Sequence, residues 1–148
     1  MPRLRRAIVN HLTDLVALAI APPRAIGESG LSAVAAARLE AILACIERRY
    51  HEPHLSAAKI ARSQGISLRY FHRLIEATGT SFTARVNELR LHRAFRHLTD
   101  PSATHLRISD IALQAGFSDI SYFNRLFLAR FGDVPSAIRH SAHGAARR

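Results

Sequence analysis

The chain has 148 residues, room for one domain or for a domain with an extension. Its 48% hydrophobic content supports a packed core and excludes a disordered chain. A formal net charge of +10 at pH 7 makes polyanions the favoured partners, nucleic acid first and an anionic membrane surface second. Lys59 is the only lysine, so nearly all of this charge is arginine, which suits bidentate contact with phosphate and guanine. Codon bias explains the preference for arginine equally well, but not the net charge. Cys45 stands alone, which excludes an intrachain disulfide and a cysteine metal cluster and fits a reducing cytoplasm.

Apolar residues recur at intervals of three and four, and no segment of useful length alternates with the period of a strand. Leu12, Leu15, Val16, Leu18 and Ile20 suggest a short helix. This run, "LTDLVALAIAPP", is too short to span a membrane, and His11, Asp14 and the following Pro-Pro-Arg fit a signal peptide poorly. The prolines and glycines of residues 21–30 read as a linker. A long helix follows, with Leu39, Ile42, Leu43, Ile46 and Tyr50 on one side and Arg38, Glu40, Glu47 and Arg48 on the other. Pro53 ends it, because proline disfavours helix at Glu52.

Ser56 is the expected N-cap of the next helix, which runs through Gln64 and buries Ala57, Ile60 and Ala61. Gly65 breaks it, Ser67 caps another, and that one buries Leu68, Phe71, Leu74 and Ile75 before ending near Gly79. Residues 81–98 form an uninterrupted helical pattern with Phe82, Val86, Leu89, Phe95 and Leu98 apolar. At ~1.5 Å per residue this helix is roughly 27 Å long. Asp100-Pro101 ends it. A further helix begins near Ser109 with Ile108, Ile111, Ala112 and Ala115 inward. Gly116 turns, Ser118 caps, and Ile120, Phe123, Leu126, Phe127 and Phe131 line the helix that follows. Gly132 stops it, Pro135 to Arg139 make a short last helix, and residues 143–148 read as a disordered tail. The expected class is all-α, with about eight helices.

Two of these segments repeat each other. "KIARSQGISLRYFHRL" and "DIALQAGFSDISYFNRLF" both read Ile-Ala, three residues, then a glycine, and later reach Tyr-Phe-x-Arg-Leu. A small residue lets two helices approach, a glycine permits the sharp turn, and a serine starts the second helix. Together they describe a helix-turn-helix, whose second helix enters the DNA major groove. One copy is a weak signal, since alanine and glycine are common residues. Two copies in a chain of charge +10 are a strong one. With Phe71, Leu74 and Ile75 inward, Arg69, His72 and Arg73 share the outer face of the first recognition helix. With Phe123 and Phe127 inward, Ser121, Tyr122, Asn124 and Arg125 take outward or flanking positions on the second. Such side chains can meet base edges and phosphates. The plain alternative for either helix alone is a solvated charged face. The helix between the copies is a spacer of about the right size for successive major grooves, which lie about 34 Å apart.

These segments resemble the two signature segments of the AraC/XylS transcription regulators, over roughly residues 39–139. The run Gly-Phe-Ser-Asp…Tyr-Phe-x-Arg-x-Phe…Phe-Gly…Pro-Ser carries the resemblance most specifically. It implies a seven-helix domain, here residues 31–142, with two helix-turn-helix subdomains joined by a long central helix and bound to one face of DNA. The positions it places closest to bases are Arg69, His72 and Arg73 on the first recognition helix, and Ile120, Ser121, Tyr122 and Arg125 on the second. Ile120 departs from a polar reader, and either touches a thymine methyl or packs. Asp119 would repel phosphate and is better placed to favour a helix N-terminus. Members of this family commonly carry a separate effector or dimerisation domain, of which residues 1–30 read as the last helix and linker.

The expected partner is double-stranded DNA, with RNA polymerase and a second copy, through the leading helix, as further candidates; no membrane, cofactor or metal is expected. His51 and His54 flank a proline without acidic or cysteine companions and read as a solvated turn. Cys45 reads as a small core residue. No catalytic arrangement stands out, so the expectation is a non-enzymatic transcription regulator. The competing reading is a helical protein-interaction module whose contact with DNA is incidental.

Overall fold

A computed structural model describes residues 33–144, and these are all-α. The expected leading helix and linker lie outside the described residues. Seven α-helices follow in order: α1 (Ala33–Arg49), α2 (Ala57–Ser63), α3 (Leu68–Glu76), α4 (Phe82–Thr99), α5 (Ile108–Ala115), α6 (Ile120–Phe131) and α7 (Pro135–Gly144). A single 3-10 turn, Pro101–Ala103, separates α4 from α5. None of these helices is long and apolar enough to cross a membrane. The fold divides into two units within the described residues, 33–89 and 90–144, and α4 contributes to each.

In the first unit, α1 buries Ala35, Leu39, Ile42, Cys45 and Ile46. Its C-terminus is closed by two parallel charged hydrogen bonds, Arg49 Nε to Glu52 Oε1 at 2.8 Å and Arg49 Nη2 to Glu52 Oε2 at 2.9 Å. Those bonds hold the Glu52 carboxyl below its ordinary range and raise the Arg49 guanidinium. The side chain of Ser56 accepts from the Lys59 amide at 3.2 Å to start α2. Gly65, at φ +65°, then turns the chain, and Ser67 starts α3 by accepting from the Tyr70 amide at 3.2 Å. Phe71, Leu74 and Ile75 close the cluster against Ile60, Ala61, Phe82 and Val86.

Leu68 corrects the expected core: it is 44% exposed. It is the first residue of α3, and side chains on a helix lean toward its N-terminus, so Leu68 overhangs the turn instead of the cluster.

The second unit is richer in aromatic residues. Phe95, Phe117, Phe123 and Phe127 are buried and Phe131 packs beside them, with ring centroids 4.6 Å apart for Phe127–Phe131 and 5.1 Å for Phe117–Phe123. The α4 face also buries Leu91, His92 and Ala94, which the periodicity had not singled out; the His92 ring meets Phe131 edge-on. Helix α5 starts at Ile108, one residue before the expected Ser109, with Asp110 accepting from the Arg107 amide at 3.3 Å.

The cap of α6 is Asp119, not Ser118: its carboxylate accepts from the Tyr122 amide at 2.9 Å while Ser118 stays exposed in the turn. The second copy has one more residue than the first between the turn glycine and the cap, so the capping position shifts from the serine to the aspartate. Asp119 therefore sits where negative charge is favoured, as its position suggested.

Helix α7 runs past Arg139 to Gly144, so His143 and Gly144, expected in a disordered tail, are helical. Two long-range bonds hold it: Arg139 Nη1 donates to the Leu106 carbonyl at 2.8 Å, and His143 Nε2 donates to the Leu98 carbonyl at 3.0 Å.

Candidate nucleic-acid interface

Each unit contains a tight helix-turn-helix: α2–α3 in the first and α5–α6 in the second. The turns share a device. Gly65 and Gly116 both adopt positive φ, +65° and +109°, and the apolar residue after each glycine returns its amide to the first helix. The Ile66 amide donates to the Ala61 carbonyl and the Phe117 amide to the Ala112 carbonyl, both at 3.0 Å. Those bonds close the helix C-terminus and set the angle at which the second helix leaves.

The outer face of α3 carries Arg69, His72 and Arg73, all exposed, while Phe71, Leu74 and Ile75 lie fully buried on the other side. On α6, Ser121, Asn124 and Arg125 are exposed and Tyr122 is half-buried. Ile120 is 38% exposed, so it overhangs the start of α6 as Leu68 overhangs α3. The eight candidate residues thus fall into two groups, one on each second helix; the polar members are exposed except Tyr122, whose ring packs against the second core.

Two of the candidate arginines are not free-standing. The Arg73 guanidinium lies over the Tyr70 ring at 5.0 Å, and that of Arg125 lies over the Tyr122 ring at 5.4 Å. Arg38 of α1 also reaches the Tyr70 ring, at 5.9 Å. Sequence periodicity had placed Arg38 merely on a polar face and passed over Tyr70. The signal was present in the repeat, where each copy sets a tyrosine three residues before its arginine.

Helix α4 adds half-buried cations to both units. Burial pushes the Arg85 guanidinium down, opposed by Glu47, and does the same to Arg90, opposed by Tyr122. Both remain cationic at neutral pH, because arginine does not deprotonate in proteins. Elsewhere, His51 and His54 are exposed and Cys45 is buried in the first core, as their sequence contexts suggested. The arrangement can offer arginine, imidazole, amide and hydroxyl groups to an anionic, hydrogen-bonding surface from two helices.

Comparison with known proteins agrees with this geometry. Residues 60–141, more than half of the chain, match a family model described as a helix-turn-helix domain. The chain is 38% identical over 94 residues to the transcriptional activator NphR of Rhodococcus sp, covering 64% of this chain and 27% of that protein. It is 36% identical over 110 residues to the HTH-type transcriptional activator RhaS of Escherichia coli O139:H28, covering 74% of this chain and 38% of that protein. The chain therefore spans well under half the length of these curated relatives. Among solved structures, a transcriptional regulator from Chromobacterium violaceum, described as AraC-type DNA-binding domain-containing, superposes with a TM-score of 0.61 at 28% identity. That match covers 75% of this chain and 96% of the other.

Proposed function

Because this chain belongs to the AraC/XylS family of transcription regulators, we propose that it binds double-stranded DNA sequence-specifically through both helix-turn-helix units and so regulates transcription. The observation that carries the reading is the repeated outer face: exposed Arg73 on α3 and exposed Arg125 on α6 occupy the same register position in the two copies.

In this reading α3 lies in one stretch of major groove with Arg69, His72 and Arg73 directed at bases and phosphates. Helix α6 lies in the next, with Ser121, Tyr122, Asn124 and Arg125 as its polar readers. Ile120 supplies apolar contact for a thymine methyl. The 18 residues of α4 span roughly 27 Å, a length compatible with successive grooves about 34 Å apart on one face. Both named relatives are transcriptional activators, so activation is the sign we assign, with RNA polymerase as the partner an activator must reach.

The test is a binding titration on duplexes selected from a random pool, against unselected duplex, over a range of salt. Affinity should favour the selected duplex and fall log-linearly with salt, with a slope of roughly −0.9 per phosphate neutralised. No preference for selected duplex, or binding indifferent to salt, would favour a protein-interaction module and overturn the proposal.

A further inference from the structure

In both units the outward arginine of the second helix rests on a half-buried tyrosine one helical turn earlier. We propose that Tyr70 is a positioning residue, which acts on DNA through Arg73, and that Tyr122 orients Arg125 in the same way in addition to its own contact with DNA. The inference rests on the DNA-binding reading above and adds how the arginines are held.

Each tyrosine is fixed from below. Its backbone amide is the one bound by the cap, the Ser67 hydroxyl in α3 and the Asp119 carboxylate in α6. Each ring packs against its unit's core; the Tyr122 ring is also braced edge-on by Phe117, with centroids 6.4 Å apart. The upper part of each ring is left beneath a guanidinium. A second arginine approaches from the preceding long helix, onto a different ring in each unit: Arg38 lies over Tyr70 and Arg90 over Phe117. Arg38 and Arg90 precede their tyrosines by the same number of residues, but Arg90 rests on Phe117, so what the two units share is the tyrosine–arginine pair of the second helix.

The physical consequence concerns discrimination more than affinity. An arginine that contacts a phosphate works in many orientations. One that bonds both acceptors of a guanine edge must present its plane in one orientation. A free arginine loses much rotamer freedom in doing so, whereas a guanidinium already lying on a rigid ring has lost part of it before binding. The ring's negative face also attracts the cation without neutralising it. Tyr70 should therefore matter at the base pair Arg73 reads and little elsewhere.

The experiment uses the full chain with Tyr70→Leu, Tyr70→Phe, Arg73→Ala and the Tyr70→Leu/Arg73→Ala double variant. Affinities are measured on the selected duplex and on duplexes altered at single base pairs, with thermal unfolding as the folding control. Arg73→Ala should cost roughly five- to hundredfold in discrimination at its own base pair. Tyr70→Leu should lose about two- to fivefold at that same pair, and nothing further once Arg73 is alanine. Tyr70→Phe, which keeps the ring and removes the hydroxyl, should behave as the parent. Tyr70→Met, which fills the same seat without a ring, replaces Tyr70→Leu if the latter does not fold.

Discrimination unchanged by Tyr70→Leu, or lost equally in the Arg73→Ala background, overturns the positioning role. So does a loss in Tyr70→Phe equal to that in Tyr70→Leu, which would mean direct contact by the hydroxyl. If Arg73→Ala itself changes nothing, it is the DNA-reading role of Arg73 that fails.

Discussion

The two helix-turn-helix units share a chain plan and differ in what they put on it. The first presents Arg69, His72 and Arg73 on a short α3 capped by neutral Ser67. The second presents Ile120, Ser121, Asn124 and a single outward Arg125 on a longer α6 capped by anionic Asp119. Beneath them, the first core is mostly aliphatic around Phe71 and Phe82, while the second is a run of phenylalanine rings. The two units thus share the positions that build the turn and the tyrosine–arginine pair, and differ in charge and core composition. On the proposed function, the first unit supplies more of the electrostatic grip and the second more of the neutral reading.

The sharpest way to break this comparison is through the cores. Phe123 packs within 5.1 Å of Phe117 and 5.4 Å of Phe127, centroid to centroid, and is fully buried. Phe123→Ala should cost about 3–5 kcal/mol of stability. Amide exchange should quicken at Ile111 and Phe127 and stay slow at Ile60 and Leu74. Equal acceleration in both sets would show that the two units do not open separately.

Next in size is the division of labour on DNA. Arg69→Ala and Arg125→Ala should each lose roughly 1–3 kcal/mol of discrimination, but at opposite ends of the binding site. Footprinting on single-base variants reads this directly, and footprints altered at the same base pairs would contradict the two-groove arrangement. Arg69→Ala should also shallow the salt dependence if it holds a phosphate, with a slope smaller by about one.

The caps sharpen the comparison at smaller scale. Ser67→Ala and Asp119→Ala should each cost about 1 kcal/mol, because each removes the acceptor for the third amide of its helix. Asp119→Asn should keep the cap and raise DNA affinity by removing a negative charge near the backbone. Ser67→Asp should do the reverse in the first unit. Unfolding curves and titrations on the four variants separate stability from binding.

The smallest effect expected is in acid. The guanidinium of Arg49 holds the Glu52 carboxyl low in the first unit, and hydrogen bonds from the Ser102 hydroxyl and amide hold Asp100 low in the second. Each carboxyl is lower in the folded chain than in the unfolded one. Its stabilisation is therefore complete above the ordinary carboxylate value and is lost as pH falls below about 4. Both groups are at the surface, so the loss is slight. Glu52→Gln and Asp100→Asn should flatten the acid limb of stability, measured by chemical unfolding between neutral pH and pH 3.

Helix positions were legible in the sequence because burial on one side of a helix imposes a period of three to four residues, and Ile60, Phe71, Leu74, Phe123 and Phe127 obey it. The turns were legible because only glycine enters positive φ cheaply, as at Gly65 and Gly116. The outward candidates followed by elimination, and every polar one of them except half-buried Tyr122 lies exposed.

What the pattern could not settle was decided where a helix meets something other than its own periodicity. Leu68 fits the buried stripe of α3, yet the core ends before the first turn does and leaves it 44% exposed. The capping position passed from Ser118 to Asp119 because one extra residue in the turn moved the start of α6, a shift that composition does not reveal. Helix α7 outlasts its local signals through Arg139 and His143, which bond to carbonyls far away in the chain. Arg38, Tyr70 and Arg73 are separated by other elements or by ordinary helix spacing, and only packing brings two guanidiniums over one ring. Local sequence determines where helices can start, turn and stop. Which side chains end up sharing a neighbour depends on contacts between segments distant in the chain, and those exist only once the tertiary structure has formed.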